Sequence, residues 1–400
     1  MSSKQLLRLV IAVVVIVAAG FVLHWWSNRP EAKRDYKTGD EVLPDLPVNE
    51  VSQITIKSSN TAVEMAKKNQ KWKVLDRYGY PADFEQLRNF MVNLSALTIA
   101  HNIAAAPGQY GRLLLEIPGE DNPGAGVQVI FKNESDQLLS QVVLGKMHQQ
   151  NMPSGGPSWP NGRYIRVVQG QNDDLTALVT ETFRDIVPDP SEWLDDDFVA
   201  VENIAEMTLK EGEQLKWRLA RKNTDEDLQL ADFKPTDNKR ADANAIRSAA
   251  NAFRNVSFED IADPEAPDAD TGLDNPLIVT AQTAQGMRYN FRIGKQNEAG
   301  NYHLRINVKF VSSAGENENA GNVQKMGANN ANSEKDADQQ PKGPTPGKLR
   351  QKAEDLNAKF SPWTYLVPEY TINKVNKHRT DFIEEKKKDE NSQNKGENRK

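Results

Sequence analysis

The 400-residue sequence contains no cysteine. Disulfides, thiolate-bound zinc, iron–sulfur clusters, thiol nucleophiles and a lipid-modified N-terminal cysteine are therefore excluded. A basic excess is missing as well: 50 Lys and Arg stand against 56 Asp and Glu, a formal net charge of −6. General nucleic-acid binding needs a cationic surface and is not expected. Apolar residues make up only 38 % and mean hydropathy is −0.68, so part of the chain is expected to be polar linker.

Catalytic signatures are just as scarce. Neither G-x-x-x-x-G-K-[ST] nor a strand-linked G-x-G-x-x-G occurs, so no nucleotide is expected to bind directly. Gly145-Lys146 and Gly294-Lys295 each follow a strand pattern, but Met147 and Gln296 stand where a phosphate loop needs Ser or Thr. Their repetition predicts a turn, with Gly for positive φ and Lys at the wet edge. The histidines, His24, His101, His148, His303 and His378, show no H-x-x-H spacing, and no metal or cofactor is expected. Asp195-Asp196-Asp197 lacks the alternation and Gly of a calcium loop and reads as a solvated acidic turn. There is no G-x-S-x-G elbow. Ser154-Gly155-Gly156-Pro157-Ser158 has the composition of a surface loop spanning Met147–Gly162. Trp159, set between prolines in that loop, either caps the core or docks a partner or glycan.

What the sequence does have is an unbroken apolar run from Leu9 through Val15 to Leu23, followed by Trp25 and Trp26. As a helix, Leu6 to Trp26 reaches about 30 Å, one bilayer core, and a Trp pair suits the membrane interface. Residues 1–29 are thus expected to be a short tail and a transmembrane anchor embedded in the bilayer. A cleaved signal peptide with Ala18-Ala19-Gly20 as its small-residue site is the rival. Lys4 and Arg8 precede the run while Arg29, Lys33 and Arg34 follow it. A short tail before a large domain suits a signal anchor, which puts residues 27–400 outside the cytoplasm. The expected location is the inner or plasma membrane, with the bulk on the periplasmic side.

Residues 30–47 read as a polar stalk. Beyond it, Val48–Ser59 aligns without a gap to Val201–Gly212. Lys71-Trp72-Lys73-Val74 matches Lys216-Trp217-Arg218-Leu219, Ala82-Asp83 matches Ala241-Asp242, and Leu144-Gly145-Lys146 matches Ile293-Gly294-Lys295. Four matches in one order predict an internal duplication. The expected fold is α+β: two tandem β-rich repeats, 48–200 and 201–385, each of antiparallel strands with a packed helix. Trp72 and Trp217 are expected at equivalent core positions. Asp83 and Asp242 are expected to cap equivalent helices. Apolar spacing predicts further helices at Leu175–Ile186 and Ile372–Ile383. Residues 312–347 form a polar insertion in the second repeat, expected to be disordered, and 386–400 a charged tail.

Lys71-Trp72 with Pro81-Ala82-Asp83, then Gly272-Leu273-Asp274-Asn275-Pro276, Ile293-Gly294-Lys295 and the stretch 363–383 resemble the bacterial family catalogued as domain of unknown function 4340. The resemblance covers most of 48–310 and 360–385, and the 312–347 insertion departs from it. Its members are usually single-pass membrane-anchored. They are often encoded beside ABC transporter components of the gliding-motility type. The resemblance implies an accessory or scaffold subunit of such a membrane complex, with other subunits as partners, and brings no catalytic residue. Two other readings stay open: an extracytoplasmic cell-wall glycan-binding module using loop aromatics such as Trp159, and a carboxylate-dependent hydrolase.

Overall fold

A computed structural model describes residues 36–149, 159–169, 174–311 and 345–386. The run containing Leu9, Val15, Leu23, Trp25 and Trp26 lies outside the described residues, as do most of the expected insertion (312–344) and the tail from 387. Among the described residues no helix is long and apolar enough to cross a membrane.

The fold is α+β and mostly antiparallel. The chain runs through β1 (Gln53–Lys57), β2 (Ala62–Lys68), β3 (Lys71–Val74), β4 (Tyr80–Pro81), helix α1 (Phe84–Ser95) and β5 (His101–Asn102). It continues through β6 (Val127–Lys132), β7 (Leu138–Gln149), β8 (Pro160–Val167) and β9 (Leu175–Val179). Next come β10 (Ile204–Glu211), β11 (Gln214–Ala220), β12 (Gln229–Leu230), β13 (Lys239–Ala241), α2 (Ala243–Ala250), β14 (Asp260–Ile261) and α3 (Asp268–Thr271). Last are β15 (Leu277–Thr283), β16 (Met287–Gln296), β17 (Tyr302–Phe310), α4 (Pro346–Phe360), β18 (Tyr365–Val367), α5 (Glu369–Ile372) and β19 (Ile383–Glu385).

The described residues form two compact units, one of 36–51, 57–60 and 91–186, the other of 52–56, 61–90 and 187–386. In the first unit strands lie in the order β6-β7-β8-β9-β5. Val129, Phe131, Val142, Leu144, Ile165, Val167, Ala177 and Val179 are buried there. Residues 36–47 are packed into this unit instead of forming a free stalk. Val42 is buried, and its N–H donates to the Leu97 carbonyl at 2.8 Å. The Gly39 N–H donates to the Ile99 carbonyl at 2.8 Å.

The second unit holds an eight-stranded sheet ordered β12-β11-β10-β15-β16-β17-β18-β14, and β13 pairs with β19 beside it. Strands β4-β3-β2-β1 are consecutive neighbours. The order β6-β7-β8-β9-β5 is thus echoed by β15-β16-β17-β18-β14, and β3-β2-β1 by β12-β11-β10.

Local details match as well. Asp83 Oδ1 accepts from the Gln86 N–H at 2.9 Å, and Asp242 Oδ1 accepts from Asn244 and Ala245 at 2.9 and 3.1 Å. These carboxylates satisfy first-turn donors of α1 and α2. Each capping residue is itself hooked to the last residue of a later 3₁₀ turn. The Asp83 N–H donates to Trp193 and the Asp242 N–H to Phe382, both at 2.9 Å. Ala82 bridges Leu194 just as Ala241 pairs with Ile383.

Gly145 and Gly294 lie within strands β7 and β16, where the register shifts, and not in turns. Neither adopts positive φ. What requires glycine is proximity. A Cβ at 145 would stand 2.5 Å from the Leu113 carbonyl oxygen, and one at 294 would stand 2.1 Å from that of Thr271. Those carbonyls end two short helical turns, Pro107–Leu113 and α3, each followed by a left-handed residue, Leu114 and Gly272.

Three further sequence expectations fail. Leu175–Ile186 is no helix: Leu175–Val179 is β9, whose burial on both faces mimics a helical stripe. Ile372–Ile383 is no continuous helix but the end of α5, a 3₁₀ turn at Arg379–Phe382 and the start of β19. Trp217 is buried on β11, its Nε1 donating to the Val375 carbonyl at 3.2 Å, whereas Trp72 is half-buried on β3. The two strands hold different places in the order, so the tryptophans are not equivalent. Trp193 and Phe382, both buried, are the matching large rings.

Asp83→Ala and Asp242→Ala should each lower the unfolding free energy by about 1 kcal/mol. Gly294→Ala should lower it by about 1–3 kcal/mol through overpacking. Chemical denaturation measures all three, and an unaffected Gly294→Ala would contradict the close approach.

Candidate functional site

The residues picked out by sequence do not assemble into one site. Trp159 precedes β8 and is 65 % exposed, which rules out the core-cap reading and leaves an open aromatic surface. The strands on either side extend to Gln149 and from Pro160, so the connecting loop is shorter than 147–162. Ser154–Ser158 lies outside the described residues. His148 Nδ1 is 2.8 Å from Asn161 Oδ1 at the surface, and His303 is buried with Nδ1 2.8 Å from the Lys295 carbonyl. His101 and His378 are exposed. Among the described residues no group of three His, Asp or Glu could hold a metal ion. The acidic triplet is a turn: Asp195 Oδ1 accepts from the Asp197 N–H at 3.0 Å, and Lys359 Nζ lies 2.6 Å from Asp197.

The polar groups that do come together are arginines, which sequence reading passed over. In the first unit, Arg166 pairs with Asp174 at 2.6 Å, donates to the Leu115 carbonyl at 3.0 Å and covers the Tyr110 ring at 4.3 Å. In the second, Arg305 pairs with Asp268 at 2.7 Å and donates to Thr364 Oγ1 at 2.8 Å. Arg166 faces Val143 and Arg305 faces Arg292, each the residue two before a strand glycine. Both arginines tie a short helical turn or its flank to the sheet.

Arg163 is buried with only carbonyl partners: Gly145 at 2.9 Å, Phe183 at 2.8 Å, Thr182 at 3.2 Å and Leu144 at 3.4 Å. Burial pushes its pKa down to about 10. A guanidinium whose three nitrogens all donate to backbone carbonyls holds a loop in place. The only sequence signal for these arginines was their place in alternating strands, which does not reveal a partner dozens of residues away.

In the second unit, Tyr80 packs edge-on to Trp363 at 5.0 Å and to Tyr365 at 6.2 Å between ring centroids. Phe198 and Phe258 join Tyr365 at 4.7 and 5.2 Å. Beside this cluster Arg77 Nε donates to Asp260 Oδ1 at 2.5 Å. Burial pushes the phenols of Tyr80 and Tyr365 well above the ordinary tyrosine range. Such a cluster is a packing device, and it offers no group poised for proton transfer near neutral pH.

These features define a mostly antiparallel α+β protein built from packed sheets and backbone-anchoring arginines. The family described as Domain of unknown function (DUF4340) matches residues 72–276, about half of the chain. The chain belongs to that family. No curated protein and no solved structure matches it.

The buried phenols set an alkaline limit. The folded chain keeps protons that the unfolded chain loses near pH 10, so their contribution to stability is full below about pH 10 and falls as pH rises further. The melting temperature should drop above pH 10, and Tyr365→Phe should make that drop shallower. An unchanged slope in the variant would contradict the assignment.

Proposed function

We propose that this chain is a non-enzymatic, single-pass envelope protein that serves as an accessory or scaffold subunit of a transporter-type membrane complex. The observation that carries this reading is the uninterrupted apolar run Leu9–Leu23 with Trp25 and Trp26 behind it, long enough with its flanks for one bilayer crossing. The bulk of the chain then lies on the periplasmic side. The echoed strand orders, the paired capping aspartates and the paired strand glycines support descent of the two halves from one duplicated unit. Two similar β-rich modules on one anchor suit a protein that presents surfaces to other subunits. The transporter association rests on the family resemblance.

A second reading has one specific observation behind it. Trp159 is exposed on a strand end, and an exposed indole offers a stacking face for a sugar ring. Affinity purification of the full chain from native membranes in mild detergent separates the two. The scaffold reading expects a multi-spanning subunit and an ATP-binding subunit to co-purify in stoichiometric amounts, with Trp159→Ala making no difference. A chain that elutes alone yet sediments with purified cell wall, and loses that ability in Trp159→Ala, would establish the glycan reading instead.

A further inference from the structure

In the second unit a cleft of about 360 Å³ opens between α2, the start of β10 and the loop after β11. Most of its lining is polar, with a small apolar floor where Val201, Ile204 and Ile246 lie buried beneath it. Three guanidinium side chains line it: Arg221, Arg247 and Arg254. Two carboxylates, Glu202 and Asp227, are the acidic lining residues, so the wall carries a cationic excess.

The arginines are poorly committed within the chain. Arg254 is exposed, with no partner among the described residues. Arg247 reaches Asp227 only at 3.9 Å, and that carboxylate is 92 % exposed, a pairing of little energetic weight. Arg221 donates through one terminal nitrogen to the Thr224 and Glu226 carbonyls at 2.6 and 3.3 Å. Its Nε is buried, with no acceptor among the described residues. The Arg221 guanidinium thus has, among those residues, carbonyl partners only and no carboxylate to neutralise it. Its Nε contrasts with Arg163, each of whose three nitrogens donates to a carbonyl.

We infer that this cleft binds a small phosphomonoester with an apolar body. Guanidinium forks recognise oxyanions through paired charge-assisted hydrogen bonds. One fork satisfies a carboxylate, whereas three separate forks suit the three terminal oxygens of a phosphate. The apolar floor accounts for the organic body, and the volume falls in the range of small-ligand pockets. No bond is made or broken. The site lies on one face of the second unit and is independent of Trp159 and of any transporter partner.

Calorimetric titration of the full chain in detergent, with phenyl phosphate, inorganic phosphate and benzoate as probes, tests the inference. Phenyl phosphate should bind saturably and at least about tenfold more tightly than either of the others. The Arg247→Gln/Arg254→Gln double variant changes two exposed side chains, so its melting temperature should be unaltered while phenyl phosphate affinity falls about tenfold or more. Absence of saturable binding up to about 10 mM, equal affinity for the three probes, or an unchanged affinity in the double variant would each overturn it.

Discussion

The contact between Tyr80 and the pair Trp363 and Tyr365 joins residues far apart in the sequence. Each such edge-on ring pair contributes about 0.5–1.5 kcal/mol beyond the area it buries. Closing so long a loop costs only slowly more with length, so a cluster of five rings offsets it. The cluster acts together with the Asp83 N–H bond to Trp193 and the Ala82–Leu194 bridge in packing residues 61–90 with 187–386. The Arg77–Asp260 pair beside it is about one-quarter exposed on both sides and adds direction more than energy. The division into units therefore does not fall at residue 200, where the primary sequence suggests it.

A second constraint acts inside the sheets. The strand glycines at 145 and 294 allow a helical turn to rest its last carbonyl against the sheet at a distance no side chain permits. The arginines at 166 and 305 then hold those turns by their carbonyls or acidic side chains. Sterics and charge-assisted hydrogen bonds cooperate here: one opens the space, the other fills it with satisfied polar groups. That the same pair of devices occurs in both sheets is more informative than any single residue match.

Much of this was legible in the sequence, where the physics is local. The Ala-Asp pairs marked both capped helices, and the β-rich, antiparallel character of the chain was expected. The Leu144-Gly145-Lys146 and Ile293-Gly294-Lys295 match was right about position and wrong about cause, because a close carbonyl and a positive φ select the same residue. The Lys-Trp match misled for a different reason. Trp72 and Trp217 share neighbours in sequence but not a place in the strand order, which hydrogen bonds between distant strands decide. β9 was misread because a strand buried on both faces loses its alternation. The arginine cleft was invisible: Arg221, Arg247 and Arg254 are scattered among ordinary surface charges until α2 and β11 are brought together.

The proposed function requires an anchored chain whose bulk lies outside the cytoplasm, and the absence of cysteine from the sequence makes that directly measurable. Tyr370 is 59 % exposed, so Tyr370→Cys creates a single accessible thiol in a chain with no other. Intact cells with a permeabilised outer barrier can be treated with a membrane-impermeant maleimide. The account predicts full labelling of membrane-fractionated protein before the inner membrane is broken. Labelling that appears only after that membrane is lysed would contradict it.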